Sequence, residues 1–475
     1  MSTTSKASQR IAALLDENSF VEIGALVTAR ATDFDLKQTE TPSDGVITGY
    51  GVIGGNLVYV YSQDASVLNG TVGEMHAKKI ANIYRLALKM GAPVIGLLDS
   101  AGVRLQESTD ALAAFGELYK RQSLASGVIP QITGVFGNCG GGLAILSAMS
   151  DFTFMEEKNG KLFVNSPNAL AGNTTAKCDT SAADYQCAKT SNVDMAGSEA
   201  DILAQIRQLV SMLPANNEED AITDCTDDLN RLCAGIEGCV GDTSVALSLI
   251  ADNNLFLEVK KDYAPEMVTG FLKLDGVTVG AVANCAERLD GEGKVAEKFD
   301  TTLSANGCEK AAEFVTFCDA FNIPVLSLTN TTGFKACECN EKRIAKAVAQ
   351  LTYAFANATV PKVNAVIGKA YGSAYVAMNS KATGADITIA WPNAEIGCMD
   401  ATLAAKIMYE GQGADTIKEK ASQYAALQNS VTSAAKRGYV DQIVNPADTR
   451  KYIIGAFEML FTKKEDRPAK KHGTV

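Results

Sequence analysis

Apolar residues gather in short runs at 56–61, 93–98 and 131–135, each bounded by glycine, proline or polar clusters. Runs of that length, rich in Val, Ile and Leu, predict buried strands. Between them the period lengthens. Over 78–89 the apolar positions include Ile80, Ile83, Leu86 and Leu88, close to the repeat of an amphipathic helix. The alternation returns further on, helical over 310–321 and extended over 324–328 and 362–367. Helical patterns also cover 144–149 and 202–213. Strands interleaved with helices predict an α/β architecture with largely parallel or mixed sheets.

The chain also repeats itself. Gly91-Ala-Pro-Val-Ile-Gly-Leu-Leu-Asp-Ser-Ala-Gly102 parallels Asn322-Ile-Pro-Val-Leu-Ser-Leu-Thr-Asn-Thr-Thr-Gly333, with Pro93 and Pro324 standing 231 residues apart. The same offset separates Pro130 from Pro361, Gly137 from Gly368 and Lys79 from Lys310. An offset held across separate elements predicts two copies of one fold. Phe20-Val-Glu-Ile23 and Phe256-Leu-Glu-Val259 read as matching starts. The expected domains are 1–235 and 236–475. A more polar stretch over 171–253 lies between the copies, with Pro214-Ala-Asn-Asn-Glu-Glu-Asp220 as linker.

Composition narrows the chemistry. Of 475 residues, 47% are hydrophobic and 21% charged, the balance of a folded globular chain. The 43 basic and 55 acidic residues leave a formal charge of −12, which argues against a nucleic-acid partner. The basic stretch 467–473 reads as a solvated or interfacial tail. Only two histidines occur, His76 and His472, so a Ser-His-Asp hydrolase or a His-rich metal site is excluded almost by counting. The first ten residues lack the apolar core of a signal peptide, and no apolar run nears the ~20 residues of a membrane span. A soluble, cytoplasmic protein with reduced thiols is expected. Cys139, Cys318 and Cys398 read as small buried hydrophobes; Cys337 and Cys339 form a lone C-x-C in a chain without a C-x-x-C pair, for which a metal site is the less favoured reading.

The strongest local feature is Gly137-Asn-Cys-Gly-Gly-Gly-Leu143, after a strand and before a helix; Gly368-Lys-Ala-Tyr-Gly-Ser-Ala-Tyr375 is its counterpart. Each is a tight strand-to-helix turn or a peptide N–H oxyanion hole. The second reading suits a chain nearly without histidine, because backbone donors can stabilise an enolate or a ureido oxygen without a side-chain acid. Lys79 and Arg104 are candidates for the phosphates of a ligand, since Lys and Arg are the usual phosphate partners.

Here the sequence resembles a family. Gly45-Val-Ile-Thr-Gly-Tyr-Gly51, Gln63-Asp-Ala-Ser-Val-Leu-Asn-Gly-Thr-Val-Gly-Glu-Met-His76 and Asp99-Ser-Ala-Gly-Val-Arg-Leu-Gln-Glu107 are similar to the biotin-dependent acyl-CoA carboxyltransferases. Phe317-Cys-Asp-Ala-Phe-Asn-Ile-Pro324 and Lys369-Ala-Tyr-Gly-Ser-Ala-Tyr375 carry the likeness into the second half. The resemblance implies two tandem crotonase-like domains of ββα-spiral units, the first on the acyl-CoA side, the second on the biotin side, assembled as a homohexamer. It implies that Gly141 and Gly142, next to Gly140, hold the thioester enolate, and that Ser373 and Ala374, after Gly372, hold the biotin ureido oxygen. Ser373 stands where the family usually has glycine, and no metal is implied. Val376 takes a position associated with acyl-chain choice. That residue and Tyr375-Val-Ala-Met-Asn379 point to the methylmalonyl-CoA decarboxylase alpha and propionyl-CoA carboxylase beta type.

The implied reaction moves CO2 between biotin and a short-chain acyl-CoA, from methylmalonyl-CoA to carboxybiotin. Biotin would arrive on a separate biotin carboxyl carrier protein. Lys89, in Ala87-Leu-Lys-Met90, sits in a helical pattern and is not the attachment point. The further partner would be a membrane decarboxylase subunit or a biotin carboxylase, with membrane association only through that partner. The alternatives are the beta subunit of an ATP-dependent acetyl/propionyl-CoA carboxylase, a crotonase-like hydratase or thioesterase without biotin, and a silent scaffold subunit.

Overall fold

The computed structural model describes residues 5–31 and 40–467; His472 and the basic tail beyond Arg467 lie outside them. The chain divides into two compact units, Met1–Glu219 and Asp220–Val475.

The first unit is built on one sheet. Its strands are β1 (Val21–Glu22), β2 (Val46–Ile53), β3 (Asn56–Gln63), β4 (Val94–Ser100), β5 (Gln131–Gly140), β6 (Phe152–Glu156), β7 (Lys161–Phe163) and β8 (Met195–Gly197). Their order is β1-β2-β3-β4-β5-β6-β8, with β7 beside β5. β2 and β3 form an antiparallel hairpin through Gly54 and Gly55, both at positive φ, as a two-residue turn matched to strand twist requires. From β3 to β6 and on to β8 the pairing is parallel, so each step needs a crossover. The helices Glu74–Met90, Ser108–Ala125 and Gly142–Ala148 occupy the first three crossovers, and Ala183–Lys189 lies in the fourth. The first starts at Gly73, stops at Gly91 in the left-handed conformation, and buries Ile80, Ile83, Tyr84 and Ala87 against Tyr61, Val94 and Leu98.

The second unit repeats the plan. Its strands are β9 (Phe256–Val259), β10 (Met267–Leu274), β11 (Val277–Asn284), β12 (Glu287–Leu289), β13 (Val295–Lys298), β14 (Val325–Thr331), β15 (Lys362–Tyr371), β16 (Ile387–Ala390), β17 (Glu395–Gly397) and β18 (Gln442–Ile443). The main sheet runs β18-β16-β15-β14-β11-β10-β9, with β17 beside β15. The β10–β11 hairpin turns at Asp275 and Gly276, again both at positive φ. Gln63 and Asn284, which close the two hairpins, are 221 residues apart, whereas Lys79 and Lys310 are 231 apart. The ten extra residues of the second copy carry the separate β12–β13 ladder.

Two boundaries differ from those the sequence predicts. Residues 221–235 belong to the second unit: Ile222 bridges Val277, Thr223 N–H donates to Gly276 O, and Cys233 N–H donates to Ala447 O. The division therefore falls within the expected linker, at Glu219/Asp220, rather than at 235/236. β5 also runs to Gly140 instead of ending at Val135. Its first half pairs with β6 and its last three residues with β7, a change of partner that keeps Gly137–Gly140 extended. β15 does the same with β16 and β17.

Candidate active site

The change of partner delivers a sharp turn at the end of β5. Gly140 lies against Phe163, where a Cβ would come within 2.8 Å of the ring. Gly141 follows at φ 59°, ψ −121°, a backbone state open to glycine and strained for any L side chain. The helix Gly142–Ala148 begins at once. Gly137, expected to open the turn, is inside the strand, and a Cβ there would collide with the Asp99 carboxylate.

Two of the predicted donors separate here. The Gly141 N–H donates to Phe163 O at 2.9 Å and is spent inside the protein, so its expected role as an oxyanion donor is corrected. The N–H groups of Gly142 and Leu143 fall in the first helical turn, where no intrahelical acceptor exists. Leu143 lies past the end of the glycine run, which does not signal it. The 231 offset could have found it, since it pairs Gly142 with Ser373 and Leu143 with Ala374. The carbonyl of Gly142 accepts from Tyr119 Oη at 2.9 Å, which fixes the plane of the turn.

The second unit presents the same geometry at Gly372, φ 60°, where the helix Gly372–Ala377 starts. Ser373 is exposed and Ala374 buried, so the serine Cβ points away from the packed side. Beneath the turn, Tyr371 Oη donates to Glu395 across β15 and β17. Burial, reinforced by Glu395, holds that phenol above its ordinary range, so it stays a donor. Asn330 Oδ1 accepts the Lys369 N–H at 3.0 Å, and the Asn330 N–H donates to Asn284 Oδ1 at 3.0 Å. In the first unit the matching tie runs from Asp99 N–H to Gln63 Oε1 at 3.2 Å. Val376 lies on the outer face of its helix, 43% exposed, as is Ile145 at the equivalent place.

Lys79 and Arg104 are elsewhere. Lys79 is 6% exposed, and its ammonium donates to the carbonyls of Ser43 and Val46. Burial pushes it down to about 8. Arg104 is 1% exposed and pairs with Asp44 at 2.7 Å and Glu107 at 3.0 Å, while donating to Thr71 O at 2.7 Å. Glu107 in turn accepts the Glu74 N–H, capping the helix behind the site. Neither cation is presented to a phosphate; both stitch internal loops, and the phosphate assignment of each is withdrawn. His76 is buried in the same cluster, pushed down to about 3 by burial and by Arg104. Lys310 repeats the Lys79 arrangement, with its Nζ on Lys260 O and Tyr263 O. Of the cysteines read as buried, Cys139 and Cys318 are so, but Cys398 is exposed, because it follows the short β17 at the rim of the second turn.

A family description, the carboxyl transferase domain, matches residues 4–475. The chain belongs to the carboxyl transferase family. This carboxyl transferase is 37% identical to the methylmalonyl-CoA decarboxylase subunit alpha of Propionigenium modestum, over 99% of its own length and 92% of the relative's. It is 39% identical to the propionyl-CoA carboxylase beta chain of Roseobacter denitrificans (strain ATCC 33942 / OCh 114), over 99% and 93%. Its fold matches transcarboxylase 12S, solved as a hexamer with hydrolysed methylmalonyl-coenzyme A bound, at a TM-score of 0.91 and 36% identity, covering 98% of this chain and 92% of that one. The two parallel-rich sheets are thus those of the crotonase-like carboxyltransferases. Among the described residues no helix is long and apolar enough to cross a membrane.

Proposed function

We propose that this chain transfers a carboxyl group between biotin, borne by a separate carrier protein, and a short-chain acyl-CoA, with methylmalonyl-CoA the foremost substrate. The observation that carries the reading is the recurrence of one N–H-bearing turn, at Gly141 and at Gly372, in a member of the carboxyl transferase family. The first unit takes the acyl-CoA and the second the biotin, and the working assembly is a homohexamer with a membrane decarboxylase subunit or a biotin carboxylase as partner.

On the acyl side, loss of the carboxyl group leaves negative charge on the thioester oxygen. The N–H groups of Gly142 and Leu143 receive it, each such donor contributing about 2.7–4 kcal/mol to the transition state. Tyr119 keeps those donors aligned by holding the Gly142 carbonyl. On the other side the residues present fit a ureido carbonyl: Ser373 and Ala374 offer neutral N–H donors, and Gly372 brings the backbone close, with room for a Cβ closed by Cys398 O at 3.2 Å. Biotin, when bound, supplies the ureido nitrogen that carries the carboxyl group. Val376, one turn on and exposed, is the position to which acyl-chain choice is assigned.

The test is decarboxylation of methylmalonyl-CoA by the purified protein with free biotin or a biotinylated carrier, read as propionyl-CoA formed. Absence of biotin-dependent turnover with every short-chain malonyl-type CoA overturns the reading.

A further inference from the structure

The proposed carboxyl transfer assigns no role to Cys337 and Cys339. Cys337 caps the short helix Glu338–Glu341 and Cys339 lies within it, at the end of the loop that leaves β14 at Thr331. The matching loop of the first unit, 102–107, has no cysteine. The two Sγ atoms stand 3.1 Å apart, with Cys339 exposed and Cys337 partly so.

The loop is pinned on both sides of the pair. Lys335 N–H donates to Leu303 O at 2.9 Å, and Asn340 accepts from Ala305 N–H at 2.7 Å while its amide donates to Lys335 O at 2.7 Å. The thiols are therefore held together by the fold. The surroundings of Cys337 favour its thiolate: the contact with Cys339, the Asn340 N–H and the nearby Lys335 hold that thiol below its ordinary range. Burial does the opposite at Cys139, Cys285, Cys308 and Cys318. A depressed, accessible thiol is the reactive kind. Zinc asks for about four ligands, and among the described residues no group of three or more His, Cys, Asp or Glu is placed to hold a metal.

We propose that Cys337 and Cys339 form a reversible dithiol–disulfide site that exchanges with low-molecular-weight disulfides. The Cys337 thiolate attacks one sulfur of the disulfide and expels the other as a thiolate, giving a mixed disulfide. Cys339, losing its proton, attacks the Cys337 sulfur and expels the second thiolate. Two protein thiols and one disulfide thus become one protein disulfide and two small thiols. The sulfurs must close by about 1 Å to reach bonding distance. With one residue between them the ring is small and exposed, the kind of disulfide that is readily reduced again.

The reduced full-length protein is treated with glutathione disulfide, quenched with an alkylating agent and mapped by mass spectrometry. The peptide containing both cysteines is expected to lose two hydrogens, escape alkylation at both positions, and revert with dithiothreitol. Cys337→Ser and Cys339→Ser should each trap glutathione on the remaining thiol. Phenylarsine oxide, which bridges two thiols with loss of water, should bind the untreated pair and lose that binding in either variant. Full alkylation of both cysteines after the disulfide treatment, or arsenical binding unchanged in both variants, overturns the proposal.

Discussion

Replacing Arg104 by methionine tests whether the cluster behind the first turn is structural. Methionine keeps much of the arginine volume but removes every donor. Asp44 loses its partner at 2.7 Å, Glu107 its partner at 3.0 Å, and Thr71 O a hydrogen bond at 2.7 Å. Breaking one member out of a buried ion cluster leaves uncompensated charge and costs about 3–5 kcal/mol. Native-state hydrogen exchange in β2 and in the helix Glu74–Met90 should accelerate by about two to three and a half orders of magnitude. Fluorescence of the single tryptophan, Trp391, should not follow, because it lies in the second unit.

The deficit should also depend on pH. Burial already holds the Asp44 carboxyl above its ordinary value, with Arg104 opposing that shift. A carboxyl raised in the folded state stabilises it through proton uptake at low pH and loses that contribution as pH rises through the folded value. Without Arg104 the folded value moves higher, so the deficit should shrink as pH falls from 8 to 5. Acyl-CoA affinity, measured by calorimetry, should stay within about twofold, since Arg104 is enclosed. Unchanged exchange combined with an affinity weakened tenfold or more refutes the reasoning and returns Arg104 to the ligand.

Other outcomes follow from the same geometry. Gly141→Ala meets no atom within 4 Å, so its cost is backbone strain of about 1–3 kcal/mol; kcat should fall by up to about 100-fold with the circular dichroism spectrum retained. Gly142→Val is a poorer probe, because its Cβ meets Tyr119 Oη at 2.8 Å and would displace the helix Ser108–Ala125 rather than only block the turn. Ser373→Gly removes an exposed side chain and should leave kcat within about twofold of the parent value in the decarboxylation assay. Val376→Asp should alter the ratio of kcat/KM between acyl-CoAs differing by one methylene, by about tenfold or more. Burial pushes the Lys310 ammonium down to about 7 from an ordinary 10.5, so between those values the unfolded chain holds a proton that the folded chain lacks. Stability should therefore climb by up to about 1.4 kcal/mol per pH unit across that window, and Lys310→Met should flatten the slope in urea titrations read at Trp391.

The alternation of apolar runs and the constant offset were sufficient for the α/β class, the duplicated plan and the two glycine turns. Those features are local in origin: period, chain direction and the freedom of glycine are written in neighbouring residues. The family followed from ordered motifs across both halves. Three matters were decided only in three dimensions. The Gly141 N–H is taken by Phe163, which the pairing of β7 brings to the end of β5. The domain boundary moved because residues 221–235 find their hydrogen-bond partners in the second hairpin and beyond. Lys79 and Arg104 have the spacing of exposed helix and loop cations, yet Ser43, Asp44 and Val46 arrive from about 33 to 60 positions earlier to enclose them. Sequence period records which face of an element is apolar, but which distant carbonyl or carboxylate will meet a cation depends on packing. That is why the turns could be read from the sequence alone and the partners of these two cations could not.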